Sequence, residues 1–279
     1  MEDIIEKAPD RLKVLERIAE FEKAGLFDSD VEEDPPWQPV DPDSVDFIKR
    51  KISSKVKTAV ANYFGKRFFK KSLRRKEVIF AGVTGLENLE SVTGGAIVTC
   101  NHINRFDNYA VYKGLRKHYG KGFRLYKVIR EGNYAFPGKI GFFMRYCNTL
   151  PINEGDNFKL TIECMKAVRH LLNKNKKILI YPEQGMWWNY KKPRPLKKGA
   201  FLFAAKFNAP VVPCFLTLRD SDITGDDGFP VQEFTLNILP PIYPEADMPA
   251  NKCADIMLER NAEQWKEIYE ETYGEELKY

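Results

Sequence analysis

From residue 77 onward the chain alternates short β-branched runs with stretches of helical periodicity, and this alternation restricts the fold more than any other feature. Residues 77–81, 96–100, 124–129, 149–152, 177–181, 210–217 and 232–239 read as strands. Residues 106–117, 137–146, 157–173, 198–207 and a segment near 249–271 read as helices. A strand that is followed by a helix and then by another strand is carried back to run parallel to the first. The expected fold is therefore α/β, with a central, largely parallel sheet flanked by helices and an N-terminal amphipathic helical region in front of it. The chain has 279 residues, 43% of them hydrophobic and 13% aromatic, enough to bury a sizeable core and to exclude a wholly disordered chain.

Charge is distributed unevenly in a way the net value of +5 conceals. The first 46 residues carry 5 Lys/Arg against 15 Asp/Glu, whereas residues 47–76 carry 12 Lys/Arg and no acid. We divide the chain accordingly into an N-terminal helical region, 1–76, and an α/β domain, 77–279. Residues 9–24 place Leu12, Leu15, Ile18, Ala19 and Phe21 near helical spacing, with Pro9 suited to a first turn and Gly25 to a stop. The acidic, proline-rich run 28–43 that follows predicts an extended linker. In the basic stretch, Val45, Ile48, Ile52, Val56, Ala59, Val60, Tyr63, Phe64 and Phe68 recur at helical spacing, which predicts one amphipathic helix over 45–71. Two uses fit such a helix: lying on an anionic membrane with its cations against the headgroups, or packing its apolar stripe on the protein's own core.

No run of 18 apolar residues occurs, and the start, Met1-Glu2-Asp3, has neither the basic nor the apolar segment of a secretion signal. The expected location is cytoplasmic, peripheral on the inner face of the membrane. Five scattered cysteines, Cys100, Cys147, Cys164, Cys214 and Cys253, form no CxxC pair and read as reduced core residues.

Of three histidines, His170 lies in a helical run and His118 in a polar turn. His102 instead follows the apolar strand Ala96-Ile97-Val98-Thr99-Cys100, where ligand sites form in α/β sheets, and Asp107 comes five residues later. Five residues on a straight helix would set the two side chains far apart in azimuth, but a loop entering a helix lets them meet. Asp107 could then fix the imidazole tautomer and leave the other nitrogen to take a proton from a substrate hydroxyl. A second reading makes Asn104 a helix cap and Asp107 an acid favoured by the capping box.

The run Asn101-His102-Ile103-Asn104-Arg105-Phe106-Asp107 resembles the first block of the glycerolipid (lysophospholipid) acyltransferase family. Three further segments resemble its later blocks in order: Asn148–Glu154, Leu179–Gly185 and Ala209–Pro213. The resemblance implies His102 as general base, Asp107 as its orienting acid, and Glu183 and Gly185 in the acceptor site, with no metal and no cofactor beyond the acyl donor, acyl-CoA or acyl carrier protein. Where the family's second and third blocks carry arginines associated with the acceptor phosphate, this chain has Glu154 and Met186. Nearby Arg105, Lys191, Lys192 and Arg194 could serve instead, because a phosphate needs positive partners. The implied activity is transfer of an acyl group to 1-acylglycerol 3-phosphate, or alternatively to another lysolipid or a glycolipid. A nonenzymatic module binding nucleic acid or anionic membrane through the basic belt would explain the charge but none of the ordered blocks, so no nucleic-acid partner is expected.

Overall fold

The computed structural model describes residues 6–33, 35–153 and 155–279. Its elements are α1 (Pro9–Lys23), α2 (Ile52–Arg74), β1 (Ile79–Thr84), β2 (Ala96–Thr99), α3 (Asp107–Tyr119), β3 (Leu125–Arg130), α4 (Glu131–Ala135), α5 (Gly138–Tyr146), β4 (Thr149–Ile152), α6 (Phe158–Leu172), β5 (Lys177–Ile180), α7 (Gly199–Lys206), β6 (Val211–Thr224), β7 (Pro230–Ile238) and α8 (Ala250–Tyr273). The strands form one sheet in the order β1-β7-β6-β2-β5-β3-β4. Among the described residues these strands pair in parallel except for β6 and β7, which a hairpin rather than a helix joins. The mixed α/β fold with a largely parallel sheet is as expected.

β2 is the central strand, and both its faces are buried because helices cover both sides of the sheet. Its alternation divides the core. Ile97, with Ile178 and Val211 beside it, packs on α6, α7 and α8, while Val98, with Leu179 and Val212, faces Ala110, Val111 and Leu115 of α3. Each such fully buried aliphatic side chain contributes about 1.5–3 kcal/mol relative to exposure. All five cysteines are free thiols.

The N-terminal region departs from the sequence expectation in two ways. The helix expected over 45–71 begins only at Ile52. The Asp46 carboxylate accepts from the N–H groups of Arg50 and Lys51 at 2.8 and 2.9 Å, Lys49 adopts φ +54°, and this local turn competes with helix. Val45 and Ile48 leave the stripe and, with Phe47, pack on the main core instead. The helix itself presents Ser54, Thr58, Ala61 and Ser72 to the protein, and small side chains there let it lie close. Phe69 and Leu73 pack on the core beneath it, while Ile52, 80% exposed, and Tyr63, 62% exposed, point outward with Val56, Phe64 and Phe68.

The second departure is the run 28–43, which is not an extended linker. Phe27 and fully buried Val31 join Ile18 and Trp187 in a separate small core. Several of the acids pair with cations: Glu32 with Arg11, Glu33 with Arg17, Asp28 with Lys197, Asp30 with Arg130 and Asp43 with Lys159. The 1–76 region is thus built onto the 77–279 domain through its own apolar residues. Of the residues singled out above, Met1-Glu2-Asp3 and Glu154 lie outside the described residues.

Candidate active site

The parallel strands β2, β3, β4 and β5 all end at one edge of the sheet, and the chain leaving β2 there carries the histidine. Buried Asn101 fixes this departure. Its amide oxygen accepts from Leu216 N–H at 2.8 Å and its NH2 donates to Leu216 C=O at 3.0 Å, so the loop after β2 is tied to β6 as a further strand pair would be. Asn104 turns the loop, accepting from Phe106 N–H at 3.2 Å and donating to Asn189 Oδ1 at 2.7 Å. The turn brings Asp107, at the first position of α3, back under His102.

The pair meets as the spacing allowed. His102 Nδ1 lies 2.6 Å from Asp107 Oδ2, with Asp107 fully buried and the His102 side chain 24% exposed. A carboxylate can only accept, so Nδ1 carries the proton and Nε2 is left as the acceptor. The same Asp107 oxygen receives longer bonds from Ile103 and Asn104 N–H at 3.3 and 3.4 Å. One carboxylate therefore both faces the imidazole and ties the loop, while the helix starts at Asp107 with Phe106, not Asn104, at its N-cap and no side-chain cap there. Asp107 Oδ1 accepts from Tyr181 Oη at 2.6 Å, and the Tyr181 ring stacks on the imidazole with centroids 4.0 Å apart and 11° between planes.

The connection after β5 holds the histidine backbone. Glu183 is buried; one oxygen accepts from His102 N–H at 2.8 Å and the other from Arg194 N–H at 2.8 Å. Trp187 N–H donates to His102 C=O at 3.1 Å. Burial pushes the Glu183 carboxyl up and the adjacent Arg194 opposes the shift. Arg194, also buried, directs its guanidinium to Phe27 C=O at 3.0 Å, Gly185 C=O and Glu183. Glu183, which the resemblance places in the acceptor site, and Arg194, one of the nearby cations, thus direct their polar groups to anchoring the loop. Gly185 is confined by Asp30, whose Oδ1 would stand 2.6 Å from any Cβ. Lys191 lies over the Tyr273 ring at 5.6 Å and Lys192 pairs with Glu22. Arg105, 63% exposed on the loop between His102 and Asp107, lies 3.9 Å from Glu77 and over the Phe106 ring at 4.7 Å.

A cavity of about 650 Å³ opens between α2 and the α3, β3 and β4 side of the sheet. Asn108 and Tyr109, which follow Asp107, form one part of its wall, and Tyr63, Phe69 and Tyr112 give it an aromatic lining. Sequence reasoning assigned no role to Asn101, Tyr181 or Asn189, and it left the aromatics after β5, Trp187 among them, between lining a lipid entrance and packing in the core; Trp187 is fully buried. Asn101 and Tyr181 stand inside quoted blocks, so their positions were marked, but what they bond is set by β5 and β6 arriving from far along the chain.

An α/β sheet with an acid-oriented histidine at its carboxyl edge is the arrangement of an acyltransferase domain, and residues 81–217 match the acyltransferase family. Residues 81–217 are therefore an acyltransferase-family domain. Among curated relatives it is 29% identical over 134 residues to the chloroplastic 1-acyl-sn-glycerol-3-phosphate acyltransferase BAT2 of Brassica napus, covering 48% of this chain and 36% of the relative. It is 31% identical over 134 residues to the chloroplastic enzyme LPAT1 of Arabidopsis thaliana, covering 48% and 35%. The matched stretch thus spans little more than a third of either relative. Among solved structures, the 1-acyl-sn-glycerophosphate (LPA) acyltransferase PlsC of Thermotoga maritima shares the fold, with TM-score 0.50 and 18% identity over 83% of this chain and 87% of that one.

Proposed function

We propose that this chain is an O-acyltransferase that moves a fatty acyl group from an acyl thioester, carried by coenzyme A or acyl carrier protein, to the free hydroxyl of a lysophospholipid, with 1-acylglycerol 3-phosphate as acceptor. The observation that carries the reading is the His102–Asp107 pair at 2.6 Å, with the acid buried and the imidazole open to a substrate. His102 Nε2 takes the hydroxyl proton as the oxygen attacks the thioester carbonyl carbon. The tetrahedral intermediate collapses with cleavage of the C–S bond, and the thiolate leaves, taking the proton from His102. The acceptor in the curated relatives' names supports the choice of lysophosphatidate, and the exposed Arg105 supplies a cation for its phosphate. The cavity, in the size range of small-molecule sites and walled in part by Asn108 and Tyr109 of α3, gives an acyl chain an aromatic-lined space.

The outward apolar stripe of α2 supports docking on a lipid surface, since a helix packed on its own core would have buried it. No helix among the described residues is long and apolar enough to cross a membrane. The test is thiol release from acyl-CoA and from acyl carrier protein, with 1-acylglycerol 3-phosphate in mixed vesicles. His102→Ala is expected to lower turnover by about 100- to 10,000-fold, the range for loss of a general base. A folded His102→Ala protein that keeps wild-type turnover removes the mechanism.

A further inference from the structure

We infer that Tyr181 is a positioning residue for proton transfer: its hydroxyl holds the Asp107 oxygen that does not face His102, and so limits how strongly the carboxylate retains the imidazole's proton. This rests on the reading of His102 as the general base. Among the described residues, Tyr181 is the one side chain other than His102 that hydrogen-bonds Asp107, at 2.6 Å. Its ring lies flat on the same imidazole, at 4.0 Å and 11°. One residue therefore touches both members of the pair, through the hydroxyl on one and through the ring face on the other.

The chemistry follows from how a carboxylate shares its charge. A buried carboxylate with no other strong donor puts its whole charge on the imidazole and favours the imidazolium, which cannot accept a proton. A second charge-assisted donor draws off part of that charge and makes the acid a weaker partner. The Tyr181 hydroxyl is placed to be that donor throughout the working range, because burial, with the Asp107 charge next to it, holds the phenol well above its ordinary value. The bond also removes the torsional freedom of Asp107, whose first oxygen must stay on Nδ1.

The other titratable groups around the pair do not reproduce this. Glu183, on the same connection, is engaged by two backbone N–H groups and Arg194, and it meets His102 only through the backbone. The thiols of Cys100 at the end of β2 and Cys214 on β6 are both raised by burial and remain neutral. Arg105 stands 3.9 Å from Glu77, at the surface.

The variant that isolates the hydroxyl is Tyr181→Phe, which keeps the ring on the imidazole. The pH dependence of kcat/KM for thiol release should show its acid limb moved to higher pH by about half to one unit, the size expected when one of two strong donors to a carboxylate is lost. Below that limb the rate should fall roughly 3- to 10-fold, while on the alkaline plateau it returns to within about threefold of wild type. An acid limb that does not move overturns the inference, even if the rate falls uniformly, since a uniform fall is what a packing role would give. Proton NMR of the His102 Nδ1–H supplies a readout independent of turnover. Its resonance should move downfield in Tyr181→Phe as the bond to Asp107 strengthens, and an unmoved resonance in a folded variant counts equally against the idea. If His102→Ala is inactive while Tyr181→Phe leaves limb and resonance unmoved, the inference fails alone. If His102→Ala is active, the function fails first.

Discussion

Glu183 illustrates how one buried residue can organise a site without facing a substrate. Both of its oxygens accept backbone N–H groups, from His102 on one side and Arg194 on the other, and Arg194 is its ionic partner. In Glu183→Gln only one of the two acceptors survives; the new NH2 points a donor at a donor, and Arg194 loses its carboxylate. Breaking a buried ion pair in this way costs about 3–5 kcal/mol, far more than an exposed pair such as Arg17–Glu33 would. We expect a clear drop in melting temperature for Glu183→Gln together with lost turnover, because the histidine backbone is held by the same oxygen. A variant with unchanged melting temperature but weakened binding of lysophosphatidate would show instead that Glu183 acts on the acceptor.

At the scale of elements, α2 is inverted relative to an ordinary surface helix. Its buried positions are Ser54, Thr58, Ala61 and Ser72, Phe69 and Leu73 pack on the core, and Ile52, Val56, Phe64 and Phe68 stand in solvent. Apolar surface exposed as a continuous stripe, with lysines and arginines beside it, suits a lipid interface. Ile52→Ser together with Phe64→Ser should lower binding to anionic phospholipid vesicles by more than about tenfold, since each side chain that inserts is worth about 1.5–3 kcal/mol. The melting temperature should stay within a few degrees, because neither side chain packs on the core. Vesicle sedimentation and thermal unfolding check this together; a large loss of stability with unchanged sedimentation would mean the face is covered by protein. Lys49 is not part of this cationic surface. It is buried, donates to Arg145 C=O at 3.1 Å, and desolvation lowers its pKa to about 8.

For the molecule as a whole, the N-terminal segment acts as a strap across the active-site connection. Phe27 stacks on Trp187 at 5.9 Å, Trp187 Nε1 donates to Ser29 C=O at 3.0 Å, and Arg194 donates to Phe27 C=O. Trp187 in turn holds His102 C=O. Stability at the strap is thereby coupled to geometry at the dyad, although the two are far apart in sequence. Phe27→Ala, which empties a nearly buried aromatic site, should cost roughly 3 kcal/mol. Hydrogen exchange should speed up at the Trp187 amide before it does in α8, and turnover should fall with it. Unchanged protection at Trp187 would show that the strap only covers the loop.

The repeating alternation of strand and helix determined the sheet and its largely parallel pairing, because hydrophobic periodicity and the return path of each helix act locally and repeat along the chain. The His102–Asp107 pair was legible for a similar reason: both residues lie on one short loop, so a turn of five residues suffices to join them. The sequence could not decide the partners that arrive from elsewhere. The 28–43 run reads as a solvated linker from its acids and prolines, yet Phe27 beside it and Val31 within it pack with Trp187, a partner from far along the chain. The stripe of α2 reads the same whether it faces core or solvent, and only the tertiary structure, by filling the core with α3, α6, α7 and α8, left it outside. Tyr181, Glu183 and Arg194 owe their roles to β5 pairing beside β2, since a side chain's hydrogen-bond partner across 70 or more residues depends on strand order, which periodicity does not encode.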